Sequence, residues 1–101
     1  MPAAGIGAVY SYPNPMRGRT RFVFETDAAP CRGAIRVFST AGRTVAHIPV
    51  QHDGGGTSVA EWDGRDNEGD ALANGTYLYR LELEAPGGRL ASSVQRLVVM
   101  R

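Results

Sequence analysis

Apolar and polar residues alternate along most of this chain, and the alternation stops at glycines, prolines and Asp/Asn pairs. Phe22 and Phe24 fall on one side of a stretch whose other side carries Arg21, Val23 and Glu25; Ile35 and Val37 alternate with Arg36 and Phe38. Ser58, Ala60 and Trp62 alternate with Val59 and Glu61, and Tyr77, Tyr79, Leu81 and Leu83 with Leu78, Arg80, Glu82 and Glu84. A period of two marks strands with one covered face. It predicts strands at residues 9–12, 20–26, 34–39, 43–50, 57–62, 76–85 and 89–100, separated by turn signals such as Pro13-Asn14-Pro15, Ala41-Gly42 and Pro86-Gly87-Gly88. No stretch sustains a 3.6-residue period. About seven short antiparallel strands at this spacing are the pattern of an all-β, immunoglobulin-like β-sandwich.

The inward positions then include Phe22, Phe24, Ile35, Val37, Val45, Ala60, Trp62, Tyr77, Tyr79, Leu81, Leu97 and Val99, with Trp62 expected at the centre because one indole buries so much area. Prolines lack a backbone donor, so the strands ending at Pro13 and near Pro49 are expected at sheet edges. Leu97-Val98-Val99-Met100 is apolar on both faces, as suits a strand covered on both sides or set against another chain. Residues 1–8, small and apolar, are expected to form a flexible or docked arm ahead of one domain at 9–101.

Composition agrees. In 101 residues there are 13 glycines and 6 prolines, more than helices tolerate. The net charge is +1, with eleven arginines, no lysine and ten acids scattered among them. The concentrated positive field of a nucleic-acid binder is absent, so no nucleic-acid partner is expected. No apolar run approaches the roughly 20 residues needed to cross a bilayer, so no membrane insertion is expected. The first nine residues lack a basic start followed by an apolar core and do not read as a signal peptide. Cys31 is the single cysteine and has no partner for an internal disulfide.

Candidate chemistry is sparse. Asp63, Asp66, Asn67, Glu68 and Asp70 offer oxygens of the kind calcium takes, without EF-hand spacing; such residues in a reversal commonly cap backbone amides. His47 and His52 lack zinc-ligand spacing, and His52, beside Asp53-Gly54-Gly55-Gly56, is expected to be solvated. No Ser-His-acid arrangement can be read from the sequence. Tyr77 and Tyr79 share a register with Leu81 and Leu83 and so read as core positions, not as a sugar-stacking platform. The expectation is a non-catalytic chain without cofactor or metal.

Four motifs in order carry a resemblance: Tyr12-Pro13-Asn14-Pro15; Arg36-Val37-Phe38 ahead of Gly42-Arg43; Trp62-Asp63-Gly64-Arg65-Asp66-Asn67-Glu68-Gly69; and Asn74-Gly75-Thr76-Tyr77-Leu78-Tyr79-Arg80-Leu81. Together they resemble the FlgD immunoglobulin-like domains and, with a closing Leu97-Val98-Val99-Met100-Arg101, are similar to the C-terminal sorting domains of type IX secretion cargo. The family usually places an aromatic after the Pro-Asn-Pro step, where this chain has Met16. The resemblance implies a sandwich attached to a secreted bacterial protein, read by a translocon, carried through the periplasm and held at the cell surface. In it, Leu97, Val98, Val99, Met100 and Arg101 form the sorting or interaction element. The alternative is a self-assembling structural subunit, filament or hook-cap-like, joined to like subunits through its N-terminal arm and sheet edges.

Overall fold

In the computed structural model, residues 5–28, 31–54 and 57–101 are described. Eight strands follow in order: β1 (Ile6–Tyr12), β2 (Thr20–Thr26), β3 (Cys31–Ser39), β4 (Thr44–His52), β5 (Thr57–Trp62), β6 (Gly75–Ala85), β7 (Gly88–Ala91) and β8 (Gln95–Val99). One sheet has the order β1-β2-β5. The other runs β4-β3-β6, with β7 and β8 both on the far side of β6. All strand pairs are antiparallel. The sandwich class read from the alternation is the fold observed.

The differences lie at element ends. The expected strand at 89–100 is two strands: β7 pairs with Glu82–Ala85 and β8 with Gly75–Tyr79. Between them Ser92 takes both bonding positions of Leu81, donating its N–H to the carbonyl at 2.8 Å and accepting the amide on its hydroxyl at 2.9 Å. A hydroxyl that completes the ladder lets the chain leave β6 without a glycine or proline to announce it. β1 begins at Ile6, three residues before the expected start, because Gly5 is tied to Thr26 and Asp27. Of the expected arm, residues 1–4 lie outside the described residues. β3 likewise begins at Cys31, shortening the loop expected at 27–33.

Gly33 has a packing reason. A Cβ there would lie 1.9 Å from the Glu82 carbonyl oxygen of β6, so only hydrogen fits. At the β3–β4 turn, Gly42 takes φ of +91°, which a side chain disfavours.

Phe22, Phe24, Ile35, Val37, Tyr79, Leu81, Leu83, Leu97 and Val99 are fully buried between the sheets. Tyr79 meets Phe22 edge-on at 5.0 Å, and Phe22 lies 5.9 Å from Trp62. The centre is therefore this Tyr79–Phe22 pair. Trp62, 8% exposed, closes one end, because its indole N–H reaches out to the Arg65 carbonyl at 3.0 Å. Tyr77 is half-buried and packs on the core while its hydroxyl donates to the Ala73 carbonyl. In β4 the buried residues are Ala46, Ile48, Val50 and His52; a register shift leaves Val45 half-buried at the core margin.

Candidate interaction site at the C-terminal strand

β8 has two edges, and both are occupied. One pairs with β6. The other meets residues 14–16, where prolines at 13 and 15 leave few amides to pair. The Asn14 side chain supplies what the prolines lack. Its Oδ1 accepts the Val98 N–H at 3.0 Å and its Nδ2 donates to the Arg96 carbonyl at 2.8 Å, as a peptide group in a strand does. Met16 continues the pairing, donating its N–H to the Val98 carbonyl and accepting the Met100 N–H, each at 2.8 Å. Met16 is itself fully buried.

Arg101 extends the clamp. Its amide donates to Asn74 Oδ1 at 2.8 Å, its Nε to the Leu72 carbonyl at 3.0 Å and its Nη2 to the Gly64 carbonyl at 3.1 Å. Gly64 makes room for this, with φ of +74°: a Cβ there would come within 2.9 Å of both Met16 Cε and Arg101 Nη2. Four stretches far apart in sequence (14–16, 62–65, 72–74 and 96–101) thus converge. Of the five site residues expected from the sequence, Leu97 and Val99 are buried in the core. Val98 is half-buried and Met100 is 57% exposed, so the outward part consists of Val98, Met100 and the Arg101 stem. Nothing local in the sequence marks Asn14, Met16, Gly64, Leu72 and Asn74 as their partners.

The loop between β5 and β6 is held by its own amides. Asp66 Oδ1 accepts from Glu68 N–H and Asp70 N–H, both at 2.9 Å, and Asn67 ties the loop to β4 by accepting the His47 N–H at 3.0 Å. Among the described residues, Asp66, Glu68 and Asp70 are the one group whose ligand atoms, within 4.8 Å of each other, have metal-like spacing. Because Asp66 Oδ1 is already capping two amides, the loop's geometry is accounted for without an ion.

At the opposite end, His52 departs from its expected solvated position. β4 runs two residues beyond Val50, and strand alternation turns His52 inward, where it is buried, 6.0 Å from Phe24 and opposite Cys31. Its Nδ1 lies 2.5 Å from the Ser58 hydroxyl, and its Nε2 has no hydrogen-bond partner among the described residues. Among the described residues no carboxylate bonds to it, so the pair lacks the orienting acid of a triad. Burial, then the nearby Asp53 carboxylate, pushes the Cys31 thiol up and away from the reactive thiolate. Burial likewise pushes the Tyr79 phenol up.

On the outer face of the second sheet, Arg36 and Arg80 stand opposite each other in the register and share Glu82 Oε2, Arg80 Nη2 at 2.7 Å and Arg36 Nη1 at 3.7 Å. Arg36 also lies 5.9 Å over the Phe38 ring and donates to the Thr44 hydroxyl. These contacts offset a like-charge pair that alone destabilises a sheet.

Comparison with known proteins gives two kinds of match. The FlgD Ig-like domain profile matches residues 14–87. Among solved structures, dimeric latent PorU from Porphyromonas gingivalis superposes with a TM-score of 0.87 at 26% identity, over 99% of this chain and 10% of that one. PorZ of the same organism, described as an essential bacterial surface component of the type-IX secretion system, gives a TM-score of 0.52 at 25% identity over 92% of this chain and 11% of its own. The chain thus spans about a tenth of the proteins it superposes on. No curated protein matches it.

Proposed function

Because the chain belongs to the FlgD Ig-like domain family, we propose that it is a non-catalytic export and sorting module of a secreted bacterial protein, recognised by a type IX-like translocon. The observation that carries this reading is the fit of nearly the whole chain onto a tenth of PorU, joined by the fit to a type IX surface component. A sandwich of this size recurring inside much longer chains behaves as an appended module. Its partners are proteins, its destination is the cell surface, and residues 9–101 form the module, with β1 reaching back to Ile6.

In this reading Leu97, Val98, Val99, Met100 and Arg101 divide the labour. Leu97 and Val99 anchor the strand in the core, and Val98, Met100 and Arg101 present it. The test fuses the domain to an exported reporter, intact or lacking Met100 and Arg101, with folding checked by circular dichroism. Loss of surface display with the fold retained is the expected result. Normal display of the trimmed fusion would sink the sorting reading. The alternative, a self-assembling subunit, draws its support from β4 and β5, each of which ends a sheet with an edge that no described strand pairs.

A further inference from the structure

The outer face of the β1-β2-β5 sheet is unusually apolar for a surface that no described strand covers. Its middle row, read across the strands, is Tyr10, Val23 and Val59. Val23, on the central strand, is buried, while Tyr10 is 51% and Val59 57% exposed. About two residues along the strands, or roughly 7 Å, lies a row of large side chains: Tyr12, 67% exposed, with Arg21 and Glu61. On the other side of the middle row lies a row that is small at its β1 end: Gly7 and Ala8 at the β1 register shift, then Glu25 and Thr57. A Cβ on Gly7 would sit 3.5 Å from the Glu25 Cβ, which fixes Gly7 beside Glu25.

The arrangement is complementary to itself. Let a two-fold axis lie between two such faces and run across their strands. The middle row then meets its own copy, apolar on apolar. The row Tyr12, Arg21 and Glu61 meets the second copy's row of Gly7 and Ala8, Glu25 and Thr57. Bulk lies over a hollow, the Arg21 guanidinium over a carboxylate and Glu61 over a hydroxyl. Within its own chain Arg21 has a weak partner, Glu61 at 3.9 Å with both side chains well exposed, and no ion pair engages Glu25 among the described residues. An isologous contact of this kind closes at two chains and does not propagate.

We infer that this face is the docking surface for a second copy of the same chain, forming a two-fold dimer through Tyr10, Val23 and Val59 with Arg21 opposite Glu25 of the other copy. The contact uses a sheet face, not the arm or the sheet edges, and stands whether or not the sorting reading holds. Three strands about 4.8 Å apart and three rows about 7 Å apart give a face of roughly 15 by 20 Å, about 600 Å² over the two copies and about half of what a stable specific interface buries, so the dimer is weak and transient.

Sedimentation equilibrium of the 101-residue chain tests it. The expected mass rises from one chain, 10.8 kDa, toward two between about 10 μM and 1 mM. Val59→Arg, at an exposed position, should abolish the rise. Arg21→Glu and Glu25→Arg should each weaken self-association at least tenfold, since each sets like charges opposite one another in the homodimer. Mixed together, the two single variants should associate, because both contacts in the mixed pair then join opposite charges; the double variant should recover for the same reason. Circular dichroism confirms that each variant is folded. A single-chain mass throughout overturns the proposal and leaves the face to another partner. Association unaffected by Val59→Arg, or no recovery on mixing, overturns it as well.

Discussion

The two ends of the sandwich solve the problem of buried polar groups in opposite ways. At the Trp62 end, side chains partner backbone groups: Asn14 for Arg96 and Val98, Asn74 for the Arg101 amide, Arg101 for the Leu72 and Gly64 carbonyls, Asp66 for its own loop. At the His52 end, a buried imidazole has, among the described residues, one partner and one idle nitrogen, beside a thiol whose pKa burial pushes up. The first end is specified by hydrogen bonds that fail if one member is removed. The second is held by apolar packing of Phe24 and its neighbours, with polar atoms that cost something and return little.

That contrast makes the two ends respond differently to substitution. Trp62→Ala should have the largest effect, a loss of about 3–5 kcal/mol in chemical denaturation, the range for removing a large packed aromatic. A loss below about 1 kcal/mol would show that the indole is not a structural lid. Asn14→Ala should cost about 0.5–1.5 kcal/mol, because both of its hydrogen bonds to β8 lie at the surface where water can replace them. Its specific signature is faster amide exchange at Val98 than at Leu97. Equal exchange at both would mean that the Asn14 clamp does not hold β8. His52→Leu should change stability least, within about 1 kcal/mol and in either direction, since it removes an unsatisfied nitrogen as well as a bond to Ser58. A loss as large as that for Trp62→Ala would erase the distinction between the ends.

The sequence carried the sheets more clearly than the site. Phe22, Phe24, Ile35, Val37 and Leu81 sit in strands whose period of two states which face is covered, and that signal is local. The clamp has no such signal. Asn14 pairs with Val98 across 84 positions, and an asparagine between prolines reads as a turn. Met16 looked like a departure because the family has an aromatic nearby; in the structure its thioether is buried against Gly64 and Arg101, a gap suited to an unbranched side chain. The split of β7 from β8 was hidden because a serine makes the break. The glycines after His52 suggest solvent, yet the alternation of β4 continues to the histidine itself and turns it inward.

The clamp also sets the order in which the domain comes into being. Residues 14–16 are made before their partners at 96–101, so a chain emerging from N- to C-terminus carries Met16 uncovered and one side of the first half of β6 unpaired until residues 96–101 appear. Closing a loop of this length is slow relative to local hairpins. A chain that stops short of residues 96–101 therefore presents an open edge on β6 and an uncovered Met16, a slot that an extended segment can fill.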